Sequence, residues 1–184
     1  MNVWYSLSDI PGNEASVVTI GNFDGMHNGH KKVVSTCIER AHKLGVDAVA
    51  ITFDPHPIQV HKPEVGLQLI SPLRDRLDAM AAAGLDATLV AHYDASVYSL
   101  EAEEFVYEYL VERCGAREVV VGEDFRFGRG NAGTIDTLRE LGSRYGFGVI
   151  TVTDIEAPEG RRWSSSWVRE LLAAGDVAGA ARVL

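Results

Sequence analysis

A single α/β domain, with a mostly parallel sheet and helices on both faces, is the fold this sequence predicts. Two observations carry the prediction. Short apolar, β-branched runs alternate with stretches whose apolar residues recur at helical spacing. The strand-like runs are also continuously apolar, as strands buried on both faces are.

The elements follow in order. "SVVTIGNF" (16–23) reads as the first buried strand. Residues 29–44 set Val33, Val34, Cys37, Ile38, Ala41 and Leu44 at helical spacing. "DAVAITF" (47–53) is a second strand, and "PLRDRLDAMAAAG" (72–84) a helix closed by glycine. "DATLVAHY" (86–93) is a third strand. Phe105, Val106, Tyr109 and Leu110 give the next helix one apolar face. "REVVVG" (117–122) is a fourth strand, "TIDTLRELGSRYG" (134–146) a helix and "GVITVTD" (148–154) a fifth strand. A hairpin-like turn, "APEGRR", leads to a helix near 166–174, and Asp176 can cap a short terminal helix. No repeat, low-complexity tract or linker interrupts residues 1–184.

Composition narrows the function. Lys plus Arg number 17 against 26 Asp plus Glu, a net charge of -9, which argues against nucleic-acid and anionic-membrane binding. A small anion can still bind where a few basic groups converge. Cys37 and Cys114 offer neither a disulfide framework nor metal-ligand spacing, so buried free thiols are expected. The N-terminus lacks the pattern of a signal peptide, and no apolar run approaches membrane-spanning length. A cytoplasmic location is the expectation.

In parallel sheets, ligands sit outside the carboxyl ends of the strands, so residues just after each strand are the informative ones. After the first comes "GNFDGMHNGHKK". Gly25 and Gly29 allow tight turning and close approach to a ligand. The unpaired N–H groups of the following helix favour an anion, and His27 and His30 can add donors. The pattern is neither a dinucleotide fingerprint nor a P-loop. It admits a phosphate site, a glycine-rich turn with two surface histidines, or a metal site that no Cys or Glu completes; the phosphate site is favoured. Asp24 either positions magnesium or holds the turn, with the turn role preferred.

After the second strand, Pro55 and Pro57 stiffen "FDPHPIQVHKP", where Asp54 and His56 are either functional or merely polar loop residues. After the fourth, "GEDFRFGRGNAG" alternates Phe125 and Phe127 with Arg126 and Arg129. This suits a flat aromatic ligand carrying charge, or else the phenylalanines anchor the loop in the core. After the fifth, Ser164, Ser165 and Ser166 precede a helix with Arg169 read in its first turn. A cation there opposes the helix dipole, which suggests an anionic ligand and a second phosphate site facing the first across the sheet.

Four segments in this order, "GNFDGMHNGH", "TFDPHP", "VVGEDFRFGRGNAG" and "SSSWVRELLAAGDVAGA", resemble motifs of the prokaryotic bifunctional riboflavin kinase/FAD synthetases. The resemblance covers nearly the whole chain and matches the adenylyltransferase half. It implies a Rossmann-like nucleotidyltransferase fold and the reaction of ATP with FMN to FAD and pyrophosphate, with Mg2+. It implies that His27 and His30 contact ATP phosphates. It likewise assigns Ser164, Ser165, Ser166 and Arg169 to the triphosphate, within an ATP site that includes Gly21, Phe23, Asp24, Gly25 and Gly29. It implies a flavin site near Asp124, Phe125, Phe127 and Phe105, with His61 where relatives often carry a stacking aromatic. Ser166 replaces the usual threonine, and "SPLRDRLDAM" lacks the Glu-Lys pair of many members. Nothing resembles the riboflavin kinase domain that follows in the family, so riboflavin phosphorylation is not expected of residues 1–184. In-line attack by an FMN phosphate oxygen on the ATP α-phosphorus is the implied chemistry, with Arg169, the serines and magnesium holding the departing pyrophosphate. The rival functions are transfer to another phosphorylated acceptor, and a flavin- or nucleotide-binding module without turnover. The paired aromatics argue against the first, and the intact His27, His30 and Arg169 against the second.

Overall fold

The computed structural model of the chain describes residues 1–12, 14–153, 157 and 160–184. Asp154 of the predicted fifth strand, and Pro158 and Glu159 of the predicted hairpin-like turn, lie outside the described residues.

Six strands form one sheet: β1 (Asn2–Trp4), β2 (Ser16–Ile20), β3 (Asp47–Asp54), β4 (Ala87–His92), β5 (Ala116–Gly122) and β6 (Gly148–Val152). Their order is β1-β4-β3-β2-β5-β6, and every pairing among them is parallel. The sheet grows in one direction from β2 to β3 and β4, and in the other through β5 and β6. The reversal lies between β2 and β5, so the loop leaving β2 stands at the switch point where such sheets bind ligands. β1 is an edge strand of three residues that the sequence pattern does not predict. β2 ends at Ile20, three residues short of the predicted strand, and Phe23 takes a left-handed φ of 51°.

The helices are α1 (Asn28–Leu44), α2 (Pro57–His61), α3 (Leu73–Ala83), α4 (Ala95–Tyr98), α5 (Ala102–Phe105), α6 (Ile135–Tyr145), α7 (Ser165–Ala173) and α8 (Val177–Val183). α5 runs directly into a π-helical segment, Val106–Arg113. α3 ends at Gly84, whose φ of 100° is open to glycine and costly for other residues.

Alternation along the strands feeds two cores. Val18 and Ile20 pack with Phe105, Val106 and Leu110 and with Leu138 and Leu141 of α6. Val17, on the other face, packs with Val34, Cys37 and Ala41 of α1 and Met80 of α3. Each such side chain contributes roughly 1.5–3 kcal/mol when fully buried. Cys37 and Cys114 are buried free thiols, both pushed up to about 12 by burial.

A third, smaller cluster joins Trp167 and Val168 of α7 to Ala180 and Val183 of α8, with Ile70 packed against it. The Asp176 carboxylate caps α8 by accepting from the Gly179 amide. α8 docks on the start of α1: the Asn28 side-chain amide donates to the Arg182 carbonyl, and the Lys31 ammonium to the Leu184 carbonyl. Among the described residues, no helix is long and apolar enough to cross a membrane.

Candidate active site

The loop between β2 and α1 is strained, and one carboxylate holds it. Phe23 (φ 51°) and Met26 (φ 42°) both adopt the left-handed region on either side of Gly25. Non-glycine residues there cost on the order of 1–3 kcal/mol each and persist only where the surroundings enforce them. Asp24 is fully buried. Its carboxylate accepts from the backbone amides of Ile70 and Ser71, each at 3.0 Å, and from the Arg169 guanidinium. Its carbonyl accepts from the Ser165 hydroxyl at 2.9 Å. Three segments therefore meet on one residue.

This arrangement corrects the sequence reading of Arg169. The helix begins at Ser165, so Arg169 is its fifth residue rather than part of the first turn. Its charge is met by Asp24, and its Nε donates to the Gln68 carbonyl at 2.7 Å. The dipole argument for an anion at Arg169 does not apply. Ser164, at the start of α7, lines the same cavity as His27 and His30.

His27 is the N-cap of α1, and its Nδ1 accepts from the His30 amide at 3.3 Å. A neutral ring held this way carries its proton on Nε2. The rings of His27 and His30 stack at 3.7 Å, and Phe23 meets His30 edge-on at 5.3 Å. Burial pushes His27 down to about 4, assisted by Arg162 and opposed by Asp24. Burial, His27 and Arg162 hold His30 well below the ordinary histidine value. Both shifts favour the neutral imidazole at neutral pH, and His27 keeps its Nε2 proton free to donate. His30 Nδ1 is buried with no hydrogen-bond partner among the described residues.

Three adjoining cavities run along the carboxyl ends of the strands. The first, about 230 Å³, is lined by Gly21, Phe23, His27, Gly29, His30, Asp124, Phe125, Arg162, Trp163 and Ser164, among others. At its rim the Arg162 guanidinium donates to Asp124 at 2.6 Å. The second, about 220 Å³, is walled by Phe53, Tyr93, Phe105, Phe125 and Phe127. The third, about 540 Å³, takes in Pro57, Ile58, His61, Val65 and Tyr93. Ile20, Gly21 and Phe125 belong to both the first and second, and Tyr93 to both the second and third. A polar, histidine-lined pocket thus opens into an aromatic one through a shared wall.

Several sequence-predicted residues find definite places. Phe125 and Phe127 stack at 5.5 Å with 14° between planes. Phe127 and Phe105 are almost wholly buried, so they anchor the loop and wall the cavity at once. Asp124 lies on the histidine side rather than among the aromatics. The imidazole of His61 shares a 2.9 Å hydrogen bond with the Tyr93 hydroxyl. Ser164 caps α7 by accepting from the Trp167 amide, while Ser166 is exposed and Gly25 packs against Ile70 and Leu184. Sequence reasoning misses Phe53, Tyr93, Arg162 and Trp163 as site residues. Phe53 and Tyr93 are the last residues of two predicted strands, where the strand-end rule points.

Residues 9–167 match the family model described as FAD synthetase. The chain belongs to the FAD synthetase family. A relative from Geobacillus thermodenitrificans (strain NG80-2), provisionally named a bifunctional riboflavin kinase/FMN adenylyltransferase, is 38% identical over 91% of this chain and 86% of its own length. The bifunctional riboflavin kinase/FMN adenylyltransferase of Escherichia coli (strain K12) is 34% identical over 98% of this chain. The chain spans only 57% of the Escherichia coli relative's length. A solved structure described as a macrolide-efflux protein from Streptococcus pneumoniae superposes with a TM-score of 0.85 at 26% identity, over 99% of this chain and 60% of that one.

Proposed function

We propose that residues 1–184 form an adenylyltransferase unit that transfers AMP from ATP to FMN, giving FAD and pyrophosphate. The observation that carries this reading is the shared wall of Ile20, Gly21 and Phe125 between a histidine-lined pocket and an aromatic one. A nucleotide's phosphates in the first and a flavin in the second bring two phosphates together at that wall. The stacked Phe125 and Phe127 suit a flat ring system, and five aromatic residues wall that pocket.

The FMN phosphate is already nucleophilic, so the chain's work is positioning and charge neutralisation. His27 donates from Nε2 as a neutral ring, its tautomer fixed by capping α1. The amide-rich start of α1 adds dipolar stabilisation beside it. Asp24 and Arg169 serve by holding the histidine loop in its strained form. Magnesium does not fit a protein-built cage here: the Asp24 carboxylate is saturated, and the described residues hold no group of three or more candidate metal-binding side chains. Magnesium belongs to the substrate, as the nucleotide's counter-ion.

The test is incubation with magnesium, ATP and FMN, followed by chromatography for FAD, with CTP and riboflavin as alternative substrates. FAD from ATP and FMN alone supports the reading. His30→Ala is expected to lower the rate about 100- to 1000-fold, the scale of one lost electrostatic donor. No FAD from the wild type, or near-normal turnover in His30→Ala, counts against the proposal or the assignment respectively.

A further inference from the structure

Arg76 stands outside both pockets and outside every motif that carries the family resemblance. It lies on α3, in the helix that departs from the family's Glu-Lys pattern, and its side chain is wholly buried. It is the only buried lysine or arginine among the described residues. An isolated charge in such a place is costly unless several acceptors surround it. Its Nη1 donates to the Asn22 carbonyl at 2.9 Å and the Phe53 carbonyl at 3.3 Å, with Thr52 Oγ1 at 3.4 Å. Its Nη2 donates to the Asp54 carboxylate at 3.2 Å. Nε finds no partner among the described residues. The one carboxylate in contact is 43% exposed, so the backbone carbonyls carry much of the compensation.

These acceptors share a location. Asn22 follows β2, while Phe53 and Asp54 end β3. Asn22 and Phe53 both line the aromatic pocket. The network reaches the next strand as well, because the Asp54 carbonyl accepts from the Tyr93 amide at 3.0 Å, and Tyr93 meets Phe53 ring to ring at 5.4 Å. One guanidinium therefore ties together the strand ends that present Asn22, Phe53 and Tyr93. None of its partners lines the histidine pocket.

We propose that Arg76 is a positioning residue for the acceptor half of the site. It sets the spacing of the β2, β3 and β4 ends from beneath, and so the shape of the pocket that takes the flavin. This rests on the function proposed above. A residue that only held the fold together would weaken both substrates alike; a positioning residue beneath one pocket separates them.

The variants are Arg76→Lys, which keeps the charge but cannot span the same acceptors, and Asp54→Asn, which alters the half-exposed end of the network. In steady-state FAD formation, each is expected to raise the KM for FMN about 10-fold and leave the KM for ATP within about twofold. Equal changes in both constants, or an unchanged KM for FMN in a folded variant, overturn the proposal. Flavin-fluorescence titration with FMN alone reads the same difference without turnover. A wild type that binds FMN but forms no FAD overturns the proposed activity and leaves the positioning effect measurable. A wild type that binds no FMN overturns both.

Discussion

Two aspartate–arginine pairs join the C-terminal segment to the loops of the sheet, and their surroundings differ sharply. Asp24 and Arg169 meet with the carboxylate 1% exposed and the guanidinium 23% exposed. Asp124 and Arg162 meet at 2.6 Å with 60% and 46% exposure. The first carboxylate also binds two backbone amides; the second sits at the rim of the histidine pocket. The difference teaches that the same chemical pair can be a joint or a latch. A buried pair cannot release one partner without stranding a charge, whereas water readily replaces either partner of an exposed one.

The largest expected effect tests the joint. Asp24→Ala removes the acceptor of two amides and the carboxylate partner of Arg169, and is expected to cost about 3–5 kcal/mol of stability in urea unfolding. A loss below about 1 kcal/mol would make the buried pair equivalent to a surface one and break the contrast.

The next effect concerns the histidines that both pairs flank. Because the folded state holds His27 down to about 4, the unfolded chain binds the extra proton below its ordinary value of about 6.5. Stability is then full above about pH 6.5 and falls as pH drops towards 4, by about 3 kcal/mol from this residue. His30, shifted in the same direction, steepens the fall. His27→Asn keeps a good helix cap and is expected to flatten the pH dependence of the unfolding midpoint. An unchanged slope would mean that His27 titrates normally.

The smallest effect tests the latch. Asp124→Asn is expected to shift stability by less than about 1 kcal/mol and to lose even that in high salt. In the proposed reaction it lowers the KM for ATP about two- to fivefold, since one carboxylate that competes with the phosphates for Arg162 is then neutral. A several-kcal/mol loss of stability would show that the rim pair is a second joint.

Much of the architecture is legible in the residues. The four inner strands announce themselves by continuous apolar runs, because burial on both faces leaves little polar alternation, while the edge strand β6 is only half-buried. β1 does not, since three residues carry no period and its place depends on pairing with a strand more than 80 residues away. The histidine pocket is legible because glycines at a strand end supply a tight turn, and the imidazoles beside them supply donors where a ligand binds. Arg76 is hidden: "LRDRLD" reads as a solvated charged face, and only tertiary packing buries its second arginine. Arg169 is misplaced by less than a turn, yet that moves it from the helix dipole's reach to a buried carboxylate.

The docking of α8 has a practical consequence for handling the protein. The Leu184 carbonyl is held by Lys31, the residue directly after His30, so a purification tag or reporter fused after Leu184 sits beside the start of α1. The opposite terminus is a safer place for cargo. Asn2 pairs with Ala87 at the start of β4, on the sheet margin opposite the pockets. Fusions there should leave turnover untouched, while the same cargo after Leu184 becomes a sensitive reporter of strain at the histidines.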